Sequence, residues 1–375
     1  MKLRSLPKIA LLLSIQPLAV FASPFAQTNL VSNVPGLAAN LDPNLKNPWG
    51  ISHSATSPFW VSNQGSNNST LYNAASVPQA LIVTVPPTAP PPTGPTGQVS
   101  NSFGAGNFVE NGAPANFIFA TLAGSIDAWN ASNGTTAAVV ASTPGAVYTG
   151  LAIGTNGAAN FLYAANFAGG HVDVFSSSFA PTTLAGSFVD PNLPAGYVPY
   201  NIQNVGGKLY VEYAQVDPIT HEAAEGAGLG VVNVFDTNGN FLQRIHSGGQ
   251  LNAPWGIAIA PAGFGEFGGD VLVGNFGDGT INAFDPITGN YVGTLKDSSG
   301  NPIVNDGLWA LDFRAPGSGF DPNALFITAG INDEADGLFA EIQAVPEPAA
   351  MALFALGLLG VAGIARRRKR LGGIS

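Results

Sequence analysis

Four oxygen-bearing side chains recur at similar places along the chain. Asn63, Asn166 and Asn275 each close an apolar run just ahead of a turn, and Glu212 stands near that register in another run. If those run ends converge in space, they offer the oxygen donors that calcium takes, six to eight of them at about 2.3–2.6 Å. The local alternative is that each Asn bonds its own turn, which the Gly-rich context favours. In the two remaining runs Thr121 and Gly330 fall in about the same place, and no general base accompanies the set. The stretch "INDEADG" at 331–337 adds Asp333, Glu334 and Asp336, which read as a surface calcium loop lacking EF-hand spacing or as a solvated acidic turn. The stretch "THEAAEG" at 220–226 begins like a helical His-Glu-x-x-His zinc motif, but Glu225 and then Gly226 stand where the second ligand belongs. His53, His171 and His246 lie far apart, and "GISHS" at 50–54 lacks the last glycine of a nucleophile elbow. There is no cysteine, which excludes disulfides, thiolate zinc sites and cysteine nucleophiles.

Charge narrows the partners. Lys2, Arg4 and Lys8 precede an apolar stretch and the small-residue pattern ending at Ala22, the layout of a secretory signal peptide over residues 1–22, with Ala26 as the second cleavage choice. Five more bases crowd into residues 366–370. The exported body then keeps 22 acids against 5 bases, a net charge near −17. Such a surface repels phosphate backbones and anionic headgroups, so nucleic acid is excluded as a partner.

The elements that must position these side chains repeat. "NPWGIS" from Asn47, "YTGLAIG" from Tyr148 and "APWGIAIAP" from Ala253 each open with an aromatic or Thr followed by Gly. Each leads through a turn to a second strand ending near Asn-aromatic, then a third strand and a polar turn. Looser copies start at Tyr197 and Asp306, and a less complete one at Ala115. A period of about fifty residues with three or four short strands per unit predicts a β-propeller blade. Six units give an all-β, six-bladed β-propeller over 23–343, with blades near 47–92, 115–146, 148–190, 197–247, 251–297 and 303–343. Turns such as "FDPITGN" and "FDTNGN" supply a side-chain acceptor and a glycine for positive φ. The segment "TNLVSNV" at 28–34 is expected to complete the last blade as its outer strand. The proline-rich "VPPTAPPPTGPTGQ" from Val85 reads as an extended surface connection.

At the other end, residues 349–364 run sixteen positions without a charge. As a helix they would extend about 24 Å at about 1.5 Å per residue, short for a bilayer core of about 30 Å. Arg366, Arg367, Arg368, Lys369 and Arg370 then form a stop-transfer cluster that stays on the cytoplasmic side of this short transmembrane helix. The order of Val345-Pro346-Glu347-Pro348, apolar span and basic cluster over 345–370 resembles the PEP-CTERM sorting signal of Gram-negative bacteria. That resemblance implies recognition of Pro346, Glu347 and Pro348 by an exosortase-type membrane protease, and a link to extracellular polysaccharide. The body, through "NPWGIS", "FIFATLAGSIDAWN", "GAGLGVVNVFDTNGN" and "LNAPWGIAIAP", is similar to NHL-type propellers and to an uncharacterised family of secreted propellers. The expectation is an exported, non-catalytic protein at the cell surface or beyond, binding a polysaccharide or surface protein. The alternative follows from gluconolactonase-like propellers: a calcium-dependent lactonase-like hydrolase with its metal at the propeller mouth.

Overall fold

Strands buried on both faces, such as Phe59–Asn63 and Val271–Asn275, have to be covered from two sides. A ring of stacked sheets does this for every member. The computed structural model describes residues 24–345, which form six antiparallel blades and one two-stranded hairpin, Val109–Glu110 with Ala113–Pro114. The leader 1–22, Pro346, Glu347, Pro348, the apolar span and the basic cluster lie outside the described residues. Among the described residues no helix is long and apolar enough to cross a membrane. The all-β, six-bladed propeller is thus the observed architecture.

The innermost strands are Pro48–Ser52, Pro95–Ser100, Tyr148–Asn156, Tyr197–Val205, Pro254–Ile259 and Leu308–Phe313. Each touches the next and the last touches the first, so they enclose a central channel. Six apolar clusters fill the six gaps between neighbouring blades. One example joins Trp60 and Leu71 of blade 1 to Phe117 and Trp129 of blade 2. Another joins Phe264 and Leu272 of blade 5 to Leu308 and Ile327 of blade 6. No blade has a core of its own, so each depends on its neighbours.

Channel closure relies on glycine in four of the six blades. A Cβ on Gly50, Gly97, Gly150 or Gly256 would come under 3.0 Å from backbone of the next blade: Thr96 O, Leu151 N, Ile202 N and Trp309 O respectively. The aromatic-Gly signature in the sequence is therefore a packing requirement at the channel waist. Asn201 and Ala310 replace the glycine in blades 4 and 6 and line the cavity below the waist.

The ring is closed by the N-terminal segment. Phe25–Ser32 pairs antiparallel with Leu338–Ala344, from Phe25 opposite Ala344 to Ser32 opposite Leu338, and Asn40–Leu41 adds a fifth strand. Phe25 is buried between Phe264 and Phe267, with ring centroids 4.9 and 5.7 Å away. Leader cleavage after Ala22 would keep this anchor, whereas cleavage after Ala26 would remove it.

The proline-rich segment is only partly a surface connection. Pro95–Ser100, at its end, is the inner strand of blade 2, so that blade begins well before residue 115. Pro95 is tolerated because it opens the strand, where no ladder donor is needed.

Deleting residues 23–36 should lower the melting temperature by more than about 10 °C, since it strips one ladder and the Phe25 anchor from the last blade; a negligible change would count against closure through this strand. Gly97→Ala should cost about 3 kcal/mol in denaturant unfolding, at the upper end for overpacking, and an unchanged midpoint would argue against a closed waist.

Candidate functional site

The inner strands all begin at one face of the ring, here termed the upper face, and end at the lower. Aromatic side chains from the second residues of three inner strands, joined by Phe276 from the end of a second strand, plug the channel between. Trp49 and Trp309 stack with centroids 3.5 Å apart, Trp255 meets both edge-on at 6.0 and 5.6 Å, and Phe276 stacks on Trp309 at 4.3 Å. Trp309 Nε1 donates to Asn47 Oδ1 and Trp255 Nε1 to Thr149 O, both at 2.9 Å. Trp49 Nε1 is buried without a partner.

Below the plug lies a cavity of about 530 Å³. Its walls are the lower halves of the inner strands, including Ile51, Leu151, Ile153 and Leu311, with Trp255 reaching in from the plug. Polar groups interrupt the aliphatic wall. Ser52 Oγ is buried with no partner. Asn204 donates to Ile153 O at 2.8 Å and accepts from Gly207 N at 3.0 Å. At the rim His53 Nε2 stands 3.2 Å from Asp312 Oδ2. Burial pulls the His53 pKa down, but the hydrogen bond and charge of Asp312 outweigh it and hold it above the usual value. Behind this pair the Arg314 guanidinium lies over the rings of Phe59 and Phe320, 4.9 and 4.4 Å from their centroids, and donates to Ser57 O.

The upper mouth has a different chemistry. Glu334 comes from the 331–337 turn, where Asn332, Asp333 and Glu334 are all left-handed, with φ of 57°, 52° and 63°. Left-handed backbone costs a non-Gly residue energy, most of all Glu, and persists only where surroundings impose it. Here Glu334 Oε2 accepts from Asn47 Nδ2 at 2.8 Å, and the Asn47 amide also reaches Gln64 Oε1 at 3.0 Å. Burial raises the Glu334 pKa, and the nearby charges of Glu222, Glu225 and Asp306 push it further. Glu222 and Glu225 ride on the long 216–230 connection, whose Val216 and Ala223 pack against the aromatic plug.

The sequence-derived donors do not share one centre. Asn63, Asn166 and Asn275 do occupy one register, opposite Pro48, Tyr148 and Pro254, but each side chain is engaged locally. The Asn63 amide donates to Asn68 and Thr70, that of Asn166 to Asp173, and that of Asn275 to Gln250 O and Asp278. The carbonyl oxygens of Asn166 and Asn275 already accept from Gly169 N and Asn252 N, leaving only Asn63 Oδ1 unpartnered. Blade 4 departs from the pattern: Tyr213 faces Pro199, so Glu212 sits one residue off and its side chain turns toward the other face. Blade 6 departs too, with Ala329 rather than Gly330 opposite Leu308. In the acidic turn Asp336 accepts from Asn33 and Asn332, which lowers its pKa, while Asp333 is exposed. Among the described residues no group of three or more histidine or carboxylate side chains is set to hold a metal ion. The asparagines and acids therefore do not fit a common calcium ion.

The burial of two carboxyls, Glu212 and Asp127, was not legible in the sequence. Glu212 is fully buried with both oxygens unpartnered, because Asn201 across the ladder gives its amide to Trp255 O, and burial pushes its pKa to about 8. Asp127, which accepts only from Ser125 Oγ, is pushed by burial to about 7.

Comparison with known proteins agrees with this architecture. Residues 344–369 match the PEP-CTERM protein-sorting motif. The chain is thus an exported protein with a propeller body and a C-terminal signal for sorting and membrane anchoring, of the kind handled by exosortase-type machinery. It is 36% identical over 327 residues to an uncharacterized protein of Acanthamoeba polyphaga mimivirus, covering 84% of this chain and 78% of that one. A second uncharacterized protein of the same virus is 34% identical over 331 residues, covering 84% of both. The chain belongs to the family of these mimivirus proteins. Among solved structures, a protein of unknown function from Bacteroides thetaiotaomicron aligns with TM-score 0.51 at 13% identity, over 85% of this chain and 76% of that one. A streptogramin B lyase structure gives TM-score 0.47 at 11% identity, over 86% and 98%. At such identities the likeness concerns the fold.

The buried carboxyls predict a pH dependence. A folded pKa above the unfolded one means that the folded state binds more protons, so this contribution is fully present below about pH 4 and is lost as pH rises through the folded value. Melting temperature should therefore fall between pH 5 and 9 as Glu212 ionises near pH 8, and Glu212→Gln should flatten that slope. An unchanged slope in the variant would mean that Glu212 is already charged in the folded protein.

Proposed function

We propose that the protein is a non-catalytic binding protein of the cell surface or extracellular space, holding a neutral polysaccharide segment in the lower cavity. One observation carries this reading: a cavity of about 530 Å³ whose aliphatic wall is broken by neutral hydroxyl and amide groups, with a single carboxylate–imidazole pair at its rim. That volume lies within the range that buries a small ligand. A sugar ring presents apolar C–H faces and equatorial hydroxyls. Ile51, Leu151 and Leu311 suit the faces. Ser52 Oγ and the Gln203 amide, which makes no side-chain hydrogen bond among the described residues, suit the hydroxyls. Asp312 can accept from two neighbouring hydroxyls while His53 holds its other oxygen.

The sorting signal supports the setting. An exported body that a membrane protease handles acts outside the cytoplasmic membrane, where such polysaccharides lie. The strong negative charge of the body favours a neutral polymer over an anionic one.

Binding of the full-length protein in detergent to a panel of neutral and acidic polysaccharides, followed by calorimetry with oligosaccharide fragments, tests this. A neutral glycan should bind, and Gln203→Ala combined with Asp312→Asn should weaken it at least tenfold, about 1.4 kcal/mol, as expected for one or two lost hydrogen bonds. The reading fails if no glycan binds at millimolar concentration, or if the paired substitutions leave affinity intact.

A further inference from the structure

We propose that the lower cavity takes the end of a glycan chain and rejects its internal segments, an inference that rests on the reading of that cavity as a glycan site. The observation behind it is that the cavity has a single mouth. Residues of all six inner strands line it, among them Ile51, Val99, Ile153, Gln203, Trp255 and Leu311. Each of these strands touches the next around the whole circle. The side wall is closed at every junction. At four of them backbone lies directly against backbone, so that a Cβ on Gly50, Gly97, Gly150 or Gly256 would come under 3.0 Å from the neighbouring strand. At the other two a polar side chain spans the seam. Asn201 Nδ2 donates to Trp255 O at 2.6 Å, and Thr328 Oγ1 accepts from Ala310 N at 3.0 Å while donating to Trp49 O at 2.6 Å.

The ceiling is fixed as well. Trp255 reaches across the channel from blade 5, where its Nε1 donates to Thr149 O of blade 3, and Trp309 Nε1 donates to Asn47 Oδ1, both at 2.9 Å. Trp49 fills the space beside them, stacked on Trp309, and the three indoles Trp49, Trp255 and Trp309 are 5%, 3% and 0% exposed. Neither Trp255 nor Trp309 can swing aside without leaving a buried N–H unpaired, which is costly. The opening lies below, where exposure rises: Leu151 and Ala310 deep in the cavity are buried, while Ser102 and Thr155 at the rim are exposed.

This shape selects among the parts of a polymer. An internal segment has to enter a site and leave it again, which an open groove or a tunnel permits and a blind socket does not. A doubled-back chain would have to bring two strands through one mouth, whereas about 530 Å³ is a volume for one small ligand. What fits is a terminal sugar, with the units behind it leading out past His53 and Asp312 at the rim. The remaining polymer stays in solvent and adds no contacts inside the cavity. Two kinds of end supply that terminal ring, the non-reducing end and the reducing end with its hemiacetal.

The test is calorimetric titration of the full-length protein, in a detergent without a sugar headgroup, with linear glucan, mannan and galactan cut to graded lengths from disaccharide to polymer. In at least one series one protein should bind per chain at every length, with an affinity that stops rising after the first few units. Borohydride reduction, which opens the ring at the reducing end, separates the two kinds of end: a tenfold loss assigns the reducing end, and unchanged affinity the non-reducing end. Gln203→Ala combined with Asp312→Asn should weaken disaccharide and polymer by the same factor. A stoichiometry that climbs with chain length, or a polymer whose affinity the paired substitutions leave untouched while they weaken the disaccharide, overturns the proposal and leaves the glycan reading of the cavity standing. If no series binds at millimolar concentration, that reading falls and this one with it.

Discussion

The whole architecture depends on backbone meeting backbone at the channel waist. At four of the six junctions one inner strand approaches the next with no side chain between, through Gly50, Gly97, Gly150 and Gly256, while Asn201 and Ala310 stand at the other two. Once the waist is set, each blade lies against its neighbours at the distance that lets one layer of apolar side chains fill each gap. The glycine and the residue before it are coupled. Because successive strand residues alternate sides, a small residue at the contact, Gly50, Gly256 or Ala310, leaves the preceding Trp49, Trp255 or Trp309 to turn into the channel, where the indoles stack on one another. Closure and plug are two consequences of one dipeptide.

The plug in turn divides one channel into two mouths. Above it the turns after the second strands and the entries to the inner strands bring acids together; below it the strand ends bring amides, hydroxyls and one histidine–carboxylate pair. An open tunnel would hold water continuous between the mouths and screen each from the other's charge. Packed indoles remove that water. They also bury Trp49 Nε1 without a partner, a cost that well-stacked rings offset.

The fold was legible in the sequence because the waist dipeptide and the turn chemistry repeat at a fixed period. It was least legible in blade 2, where the inner strand grows out of a proline run. Proline usually marks an exposed connection, and only the position of Pro95 at a strand start reconciles the two. The site was far less legible. Register across blades was readable for Asn63, Asn166 and Asn275, but not their hydrogen bonds, which hold each within its own blade. Glu212 shows why single-residue register fails from sequence alone: a shift of one position against Tyr213 moves the side chain across the blade. The acidic mouth could not be read at all, since Glu222, Glu225, Asp306 and Glu334 become neighbours only when blades 4 and 6 are placed around the ring. Glu334 stood out with Asp333 and Asp336 as one acidic turn. The left-handed backbone separates them, sending Glu334 to the mouth while Asp336 is held by Asn33 and Asn332.

Chain direction links the two mouths to the sorting signal. In every blade the inner strand runs from the upper face to the lower, the second returns, and the third descends again. In blade 6 the third strand is Leu338–Ala344, so the described chain leaves the body at the lower face, where Val345 N donates to Pro24 O at 2.7 Å. Leu338–Ala344 is also an interior strand, paired with Leu325–Ala329 on one side and Phe25–Ser32 on the other. Pulling along it must shear both ladders together, so the ladder through which Phe25–Ser32 closes the ring also resists a pull on the C-terminal end of the described chain.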